Sequence, residues 1–326
     1  MRRPALVLAA AFAATAAVLG VVGPAGAITG GEPDGDDHPN VGIVLFYQPD
    51  GRFRCSGTLI SPTVVLTAAH CTFQDIGAVA VSFDTEIALD ATESAANVPR
   101  ACDDEGPAAG DGFSDVGFSD GLCTPNPATP GPDPYAGDVE WVTGTPLTHP
   151  EYSDFTDIRN WNDTGVIILD EPIAGITPAE LAPEGYLDDF GQPALNRTLF
   201  DVVGYGTEVR SAESGPQKPT PQSFPLIRRQ ATSPGQKLTD QVLQLNGNIN
   251  DPRGTGGTCF GDSGGPVFHT ADGVTVVVGD TSYGYTSNCR YLGGYQRVDI
   301  PVVRDWLLCT LGPDPVANCP SLGGDD

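Results

Sequence analysis

Three residues in this sequence have the types and settings that nucleophilic acyl chemistry needs: Ser263, His70 and Asp163. Ser263 lies in Gly261-Asp262-Ser263-Gly264-Gly265-Pro266, where glycines let the backbone turn tightly and leave two N–H groups free to converge on one point. A tetrahedral oxyanion needs such a point, and each donor there lowers the barrier by roughly 3–4 kcal/mol. A lone G-x-S-x-G is also a common Gly-rich turn, so the other two residues decide its meaning. His70 ends Leu66-Thr67-Ala68-Ala69-His70-Cys71, an apolar run with a cysteine to tie it down. The chain has 4 histidines, and His38, His149 and His269 have no comparable setting. Asp163 stands just ahead of the apolar run Gly165-Val166-Ile167-Ile168-Leu169; the nearby Asp154 and Asp157 precede no buried strand. A serine nucleophile needs a base to take its proton, and the base needs a carboxylate to fix its tautomer.

Composition narrows the class of protein. The chain has 326 residues, 40% hydrophobic, with 41 Gly and 30 Pro, which favours short strands and many turns over a helical bundle. Its 16 basic against 42 acidic residues exclude a phosphate-backbone partner, which requires Lys and Arg to displace counterions. Residues 1–27 read as a signal peptide: Arg2 and Arg3, an apolar stretch from Ala5 to Val22, and Ala25-Gly26-Ala27 as the cleavage site. No later run reaches the roughly 18 apolar residues of a spanning helix, so no membrane partner is expected after cleavage. The 8 cysteines of an exported chain imply four disulfides. They fall in local couples, Cys55/Cys71, Cys102/Cys123, Cys259/Cys289 and Cys309/Cys319, although eight cysteines allow about 105 connectivities. None has C-x-x-C metal spacing, and no cofactor is expected.

The elements that must position the three residues are short strands. Val41–Tyr47, Cys55–Ile60 and Val64–Ala69 read as a meander, with Val79–Leu89 as a further strand. From about 91 to 136 Asp, Gly, Pro and Ala take over, and the segment reads as an acidic insertion held by Cys102 and Cys123. Its carboxylates (Asp103, Asp104, Glu105, Asp111, Asp115, Asp120) lack the spacing of an EF-hand loop and read as a solvated acidic loop. Strands resume at Val139–Val142, Gly165–Leu169, Leu199–Gly204, Gln241–Leu245, Val267–Phe268, Val274–Val278 and Gly294–Val298. Pro301–Cys309 reads as a helix with proline at its start, and the tail from Gly312 as loose.

With these residues in place, the sequence resembles the chymotrypsin/trypsin-type serine protease family over almost the whole mature chain. The order His, Asp, Ser is that of the family, whereas an α/β-hydrolase runs Ser, acid, His; here His269 follows Ser263 by only six residues. The resemblance implies an all-β fold of two antiparallel six-stranded β-barrels with a C-terminal helix. It implies His70 as general base, Asp163 as its orienting carboxylate, Ser263 as nucleophile, and the N–H groups of Gly261 and Ser263 as oxyanion hole. The protease domain would span 28–311: first barrel about 28–170, connector about 171–193, second barrel about 194–311, with 312–326 as tail. Ile28-Thr29-Gly30-Gly31 is similar to the family's mature start, whose α-ammonium would pair with Asp262. Gly204-Tyr205-Gly206 stands where Gly-Trp-Gly is common, and Cys55/Cys71 and Cys259/Cys289 match family disulfides, the second across the specificity pocket. Two departures stand out. His70 and Asp163 are 93 residues apart, about twice the family spacing because of the insertion, and Thr164-Gly165 replaces the usual apolar pair. Asn162-Asp163-Thr164 and Asn196-Arg197-Thr198 fit the N-glycosylation pattern, the first by chance, since a glycan would crowd the triad.

The implied function is a secreted, monomeric serine endopeptidase acting on protein or peptide substrates; the alternative is an inert family member used as a binding module. Cleavage before Ile28 would yield active enzyme without a zymogen stage. The base must be neutral to work and an ordinary histidine titrates near about 6.5, so activity should rise through roughly pH 6–8 and fall in alkali. By resemblance Gly257 forms the base of the specificity pocket, Ser282-Tyr283-Gly284 and Gly293 its walls, with Thr258 and Phe260 flanking it. An uncharged, open slot favours large apolar or aromatic side chains, since burying one contributes roughly 1.5–3 kcal/mol. Asp280, the nearest carboxylate, is expected to point away from the slot.

Overall fold

The computed structural model describes residues 28–48, 51–75, 77–87, 140–209, 222–223, 226–286 and 289–322. The signal peptide, the acidic insertion and the Cys102/Cys123 couple lie outside them.

Six strands close the first barrel: β1 (Val41–Gln48), β2 (Gly51–Ser61), β3 (Val64–Thr67), β4 (Val79–Ser82), β5 (Val142–Thr148) and β6 (Gly165–Leu169), neighbouring in the order β1-β2-β3-β6-β5-β4. The second barrel comprises β7 (Leu199–Gly204), β8 (Arg229–Leu238), β9 (Val242–Asn246), β10 (Pro266–Ala271), β11 (Val274–Gly284) and β12 (Leu292–Arg297). Its ladder runs β8-β9-β12-β11-β10-β7 and closes through β7 on β8, all antiparallel. Two short edges extend it, Glu32–Pro33 on β8 and Glu180–Leu181 on β11. Among the described residues, closure leaves no long unpaired edge.

Branched apolar residues explain the strands and their burial. Every residue from Val41 to Phe46 is buried, as a strand must be when one face lines a barrel and the other meets a second one. Val44, Cys55, Leu59, Val65, Val81 and Ile167 fill the first barrel, while Phe200, Val202, Leu243, Leu245, Val278 and Tyr295 fill the second. Between the barrels, Val41, Leu66 and Val166 meet Val203, Phe268 and Val277, and α1 (Pro301–Thr310) seals the seam with Val303, Trp306 and Leu307. Three of the four expected cysteine couples fall within the described residues, and all three are bonded: Cys55–Cys71, Cys259–Cys289 and Cys309–Cys319.

Several expectations shift. The strand expected over Val64–Ala69 stops at Thr67, and Ala69–Cys71 forms a 3₁₀ turn. The strand from Val79 ends at Ser82, not Leu89. The strand expected at Val139–Val142 is instead β5, whose Pro146 broke the apolar pattern. Strand β8 was not foreseen: Arg-Gln-Ala-Thr-Ser-Pro-Gly-Gln-Lys-Leu has few aliphatics and an internal proline. Nor is the tail loose up to Leu322. A short helix α2 (Pro315–Asn318) is tied by Cys309–Cys319, and Ser321 and Leu322 hydrogen-bond to the backbone of Thr148. No helix among the described residues is long and apolar enough to cross a membrane.

A buried charge network joins the N-terminal segment to both barrels. Arg228 donates to Asp34 Oδ2 at 2.8 Å, to the carbonyls of Gly35, Val41 and Phe83, and to Tyr205 Oη. Burial pushes the Asp34 carboxyl up, but His38 and Arg228 outweigh it and hold it below its usual value. A depressed carboxylate contributes stability above its unfolded pKa of about 3.9 that is lost as pH falls through the folded value. Arg228→Met should therefore destabilise by about 3–5 kcal/mol in urea titrations at pH 7, and by less near pH 3. A loss that stays constant with pH would show that Asp34 is not the partner that matters.

Candidate active site

His70 sits on the 3₁₀ turn after β3, held on two sides. Cys71 is disulfide-bonded to Cys55 on β2, and Thr72 Oγ1 bonds both the Ala69 carbonyl and Thr148 Oγ1. The imidazole Nδ1 lies 2.9 Å from Asp163 Oδ2, and the His70 backbone N–H donates to Asp163 Oδ1 at 2.9 Å. Ser282 Oγ donates to Oδ2 at 2.5 Å, and Asp163's own N–H donates to Gln296 Oε1. Asp163 is fully buried, while the His70 side chain keeps 22% of its surface exposed. A buried carboxylate held by several donors can orient one imidazole edge and leave the other to face substrate.

The unusual Thr164-Gly165 pair has a local cause. A Cβ on Gly165 would come within 2.6 Å of Thr72 Oγ1 and 2.8 Å of the Ala68 carbonyl, so only glycine lets β6 pass under the His70 turn. Asn162 is buried, adopts a left-handed φ of 45° and donates to the Glu151 carbonyl, which leaves it no room for a glycan. Asp157 binds Arg159 N–H and Asn160, and Asp154 meets Tyr152 Oη; neither replaces Asp163 at the imidazole. His38 also meets a carboxylate, Asp34, but that pair serves Arg228 and the ring stacks on Phe268.

The Ser263 loop is docked onto this frame. Gly261 and Gly264 have φ of 92° and 74°, values that glycine adopts without strain. The Ser263 carbonyl accepts from Ser56 N–H at 2.8 Å, and Ser56 Oγ donates to the Gly261 carbonyl at 3.0 Å. A side chain at Gly264 would collide with Thr67 Oγ1 and Ala68 N, so the loop rests on the segment that ends in His70. Asp262 is fully buried, its carboxylate accepting from Gly206 N–H and Cys259 N–H, both at 2.8 Å. Burial pushes it up to about 7, against the pull of those two bonds and of Arg54. Arg54, a cation beside the loop, was not singled out from sequence; its Nε lies 3.1 Å from where a Gly261 Cβ would stand. Ile28 is buried in the second barrel's core, and Thr29 bridges Gly257 through a Gly257 N–H bond of 2.9 Å.

Of the expected pocket residues, Thr258 and Gly293 meet at Tyr295, whereas Ser282 bonds Asp163 and Trp161. A Cβ on Gly257 would lie 2.6 Å from Gly247 Cα, so that position admits no side chain. Thr258 Oγ1 meets Tyr295 Oη at 2.9 Å, and a Cβ on Gly293 would press on the same hydroxyl, whereas Gly284 faces open space. Burial pushes Tyr295 up to about 12, so the phenol stays neutral. The Tyr283 ring lies over Gly294, and Phe260 anchors Thr207 through its carbonyl. The bridge expected at the pocket joins the buried Cys259, four residues before Ser263, to Cys289, with Cα atoms 5.2 Å apart. Cys289 differs from its partner in a way the sequence did not indicate. It belongs to no strand, is only half-buried and has a left-handed φ of 51°, because it lies on the turn between β11 and β12, where its N–H donates to the Thr286 carbonyl. Asp280 is buried and accepts from Thr164 Oγ1 at 3.0 Å, on the Asp163 side of β11. A run of aromatic rings was not foreseen: His70–Phe155, Phe155–Trp161, Trp161–Tyr283 and Tyr283–Tyr285 have centroids 5.2–5.5 Å apart. The available signal was the density of aromatics in 152–161, a segment read only for its carboxylates.

Among the described residues one group of potential metal ligands gathers, Cys55, His70 and Cys71, and its two sulfurs are bonded to each other. The carboxylates of the acidic insertion lie outside the described residues.

Two closed barrels with a His–Asp pair and a Gly-rich serine loop docked together define a chymotrypsin-like architecture. The family model for trypsin matches residues 136–307, and the chain belongs to the trypsin family of serine proteases. It is 26% identical to a trypsin of Saccharopolyspora erythraea over 260 residues, covering 79% of this chain and 86% of that protein. It is also 26% identical to brachyurin of Leptuca pugilator over 274 residues, covering 82% of this chain and 91% of that one. The solved structure of HL collagenase superposes with a TM-score of 0.51 at 16% identity, covering 90% of this chain and 99% of the other.

Proposed function

We propose that the protein is an exported serine endopeptidase in which Ser263, His70 and Asp163 form the catalytic triad. The observation that carries this reading is the buried Asp163 carboxylate gripping His70 by both ring and backbone, with the Ser263 loop resting on the same turn. Ser263 Oγ attacks the scissile carbonyl carbon while its proton passes to His70, and the charge forming on the carbonyl oxygen is met by the N–H groups of Gly261 and Ser263. The C–N bond then breaks as His70 returns the proton to the leaving amine. A water activated by His70 hydrolyses the ester, freeing the acid and restoring Ser263. Asp163 keeps the imidazole in the required tautomer and stabilises it when it is charged. The signal peptide would direct export and cleavage before Ile28, and the ammonium so formed would share the neutralisation of Asp262 with Arg54; the burial of Ile28 supports that placement. Cys102/Cys123 would be a fourth bridge beside the three in the described residues. The enzyme would act as a monomer on protein chains.

Gly257 brings no charge, and Gly284 and Gly293 bring no bulk, which supports a preference for large apolar or aromatic residues on the acyl side of the cut bond. The exposed Phe155 and the aromatic rings beyond it extend that surface. Chromogenic peptides ending in Phe and in Arg test the reading together. We expect sulfonyl-fluoride-sensitive hydrolysis with kcat/KM for the Phe peptide ahead by about 10-fold or more, since the pocket offers an arginine no partner charge. Faster turnover of the Arg peptide would overturn the pocket assignment and leave the triad intact; no hydrolysis of any peptide or of casein would overturn the enzyme.

A further inference from the structure

Behind Asp163 lies a second buried carboxyl group. Asp280, on β11 two residues before Ser282, is fully buried; its Oδ2 accepts from Thr164 Oγ1 at 3.0 Å, and its Oδ1 is buried with no hydrogen-bond partner. Its ladder neighbours are Pro266 on β10 and Gln296 on β12, so neither brings a charge. The charged group acting on it is Asp163, with His70 beyond.

The two buried carboxyl groups are linked through Thr164, whose hydroxyl bonds Asp280 and whose chain neighbour is Asp163. Of two buried like charges this near, one is driven toward its neutral form. Asp163 receives three donors, the His70 N–H, the His70 ring and the Ser282 hydroxyl, whereas Asp280 receives one. The donors are thus placed to serve a carboxylate at Asp163 and not one at Asp280. A bare buried oxygen is tolerable on a neutral carboxyl and far more costly on an anion.

Taking the triad as read above, we propose that Asp280 is a positioning residue that works as a neutral carboxylic acid, anchoring Thr164, and through it the adjacent Asp163, without placing a second negative charge behind His70. Burial first, then Asp163, push the Asp280 carboxyl well above the usual carboxylate range, in keeping with this state.

Two substitutions test it. Asp280→Asn replaces a neutral acid by a neutral amide, so the acid limb of the kcat/KM profile should stay within about 0.3 pH unit of wild type. An ionised Asp280 would instead have been raising the base, and its removal would move the limb down by roughly one unit or more, overturning the proposal. Asp280→Val takes the acceptor from Thr164 and should lower kcat about 10-fold with KM little changed. Thr164→Val should do the same, and the double variant no more. Full kcat in Asp280→Val would also overturn the proposal. Should Asp280→Val not fold, Asp280→Asn still decides the protonation state. NMR titration of His70 in the resting protein, wild type against Asp280→Asn, needs no turnover. An unchanged midpoint supports a neutral Asp280 even if the endopeptidase reading fails, and a lowered one overturns it.

Discussion

Ser263→Ala and His70→Ala are each expected to lower kcat by about 10⁶-fold, and the double variant to be no slower than either single one. Nucleophile and base act as one unit: without Ser263 the imidazole has no proton to take, and without His70 the hydroxyl is not activated. The structure gives the expectation its shape. His70 is fixed by the Cys55–Cys71 bridge and by Asp163, and the Ser263 loop by Ser56, by the Cys259–Cys289 bridge and by the contact of Gly264 with Thr67 and Ala68. Neither truncation should disturb that frame, so thermal midpoints should hold while kcat collapses. Additive losses in the double variant would mean that the two residues do not share a step.

Asp163→Asn is the second large effect, a fall in kcat of about 10⁴-fold, the size of a wrong-tautomer defect in a Ser-His-Asp triad. Three donors converge on the carboxylate: His70 Nδ1, the His70 backbone N–H and Ser282 Oγ. An asparagine offers one acceptor and turns an NH₂ toward one of them. Facing His70, that NH₂ drives the imidazole proton to Nε2, where it blocks uptake of the serine proton. Asp154→Asn and Asp157→Asn should leave kcat nearly unchanged, because those carboxylates bind their own loop. Loss of activity in Asp157→Asn with retention in Asp163→Asn would show that the orienting carboxylate has been misassigned.

The strands that were legible are those whose residues alternate or run apolar by themselves. Gly165–Leu169 and Leu199–Gly204 occupy the residues their patterns indicate, because their branched side chains have no other stable place than a barrel wall. Strand β8 was hidden because its order comes from partners: Arg229–Pro234 is ladder-bonded to Leu199–Gly204, and nothing in Gln-Ala-Thr-Ser-Pro announces that. The C-terminal tail was misread for a similar reason. Its Pro, Gly and Asp composition suits a loose end, but one disulfide and two backbone bonds at Thr148 hold it.

The site divides in the same way. The motifs around His70 and Ser263 were legible because Cys71 and the glycines Gly261 and Gly264 stand beside them in sequence. Asp163, which holds His70, and Ser56, Thr67 and Ala68, which hold the Ser263 loop, come from far along the chain. The pairing of Cys259 with Cys289 was legible too, but the left-handed turn that presents Cys289 was not, since no glycine marks it. Arg54, Tyr295 and Asp280 reach the site from other strands, and the ring of Phe155 from the segment just before Asp163. Asp280 was noticed only as a pocket charge that should point elsewhere. What it does point at, Thr164, is 116 residues away and comes near only when β11 is laid against the start of β6.

Active-site labelling reaches the central claim most directly. The purified protein, with Ile28 at its N-terminus, is treated with a fluorophosphonate at pH 8 and digested, and the adduct is located by mass spectrometry. A triad at Ser263 predicts stoichiometric labelling on the peptide carrying Gly261-Asp262-Ser263-Gly264, parallel loss of hydrolysis, and no labelling in Ser263→Ala or His70→Ala. Hydrolysis that persists in protein fully labelled at Ser263, or a wild-type protein that takes no label at all, would contradict it.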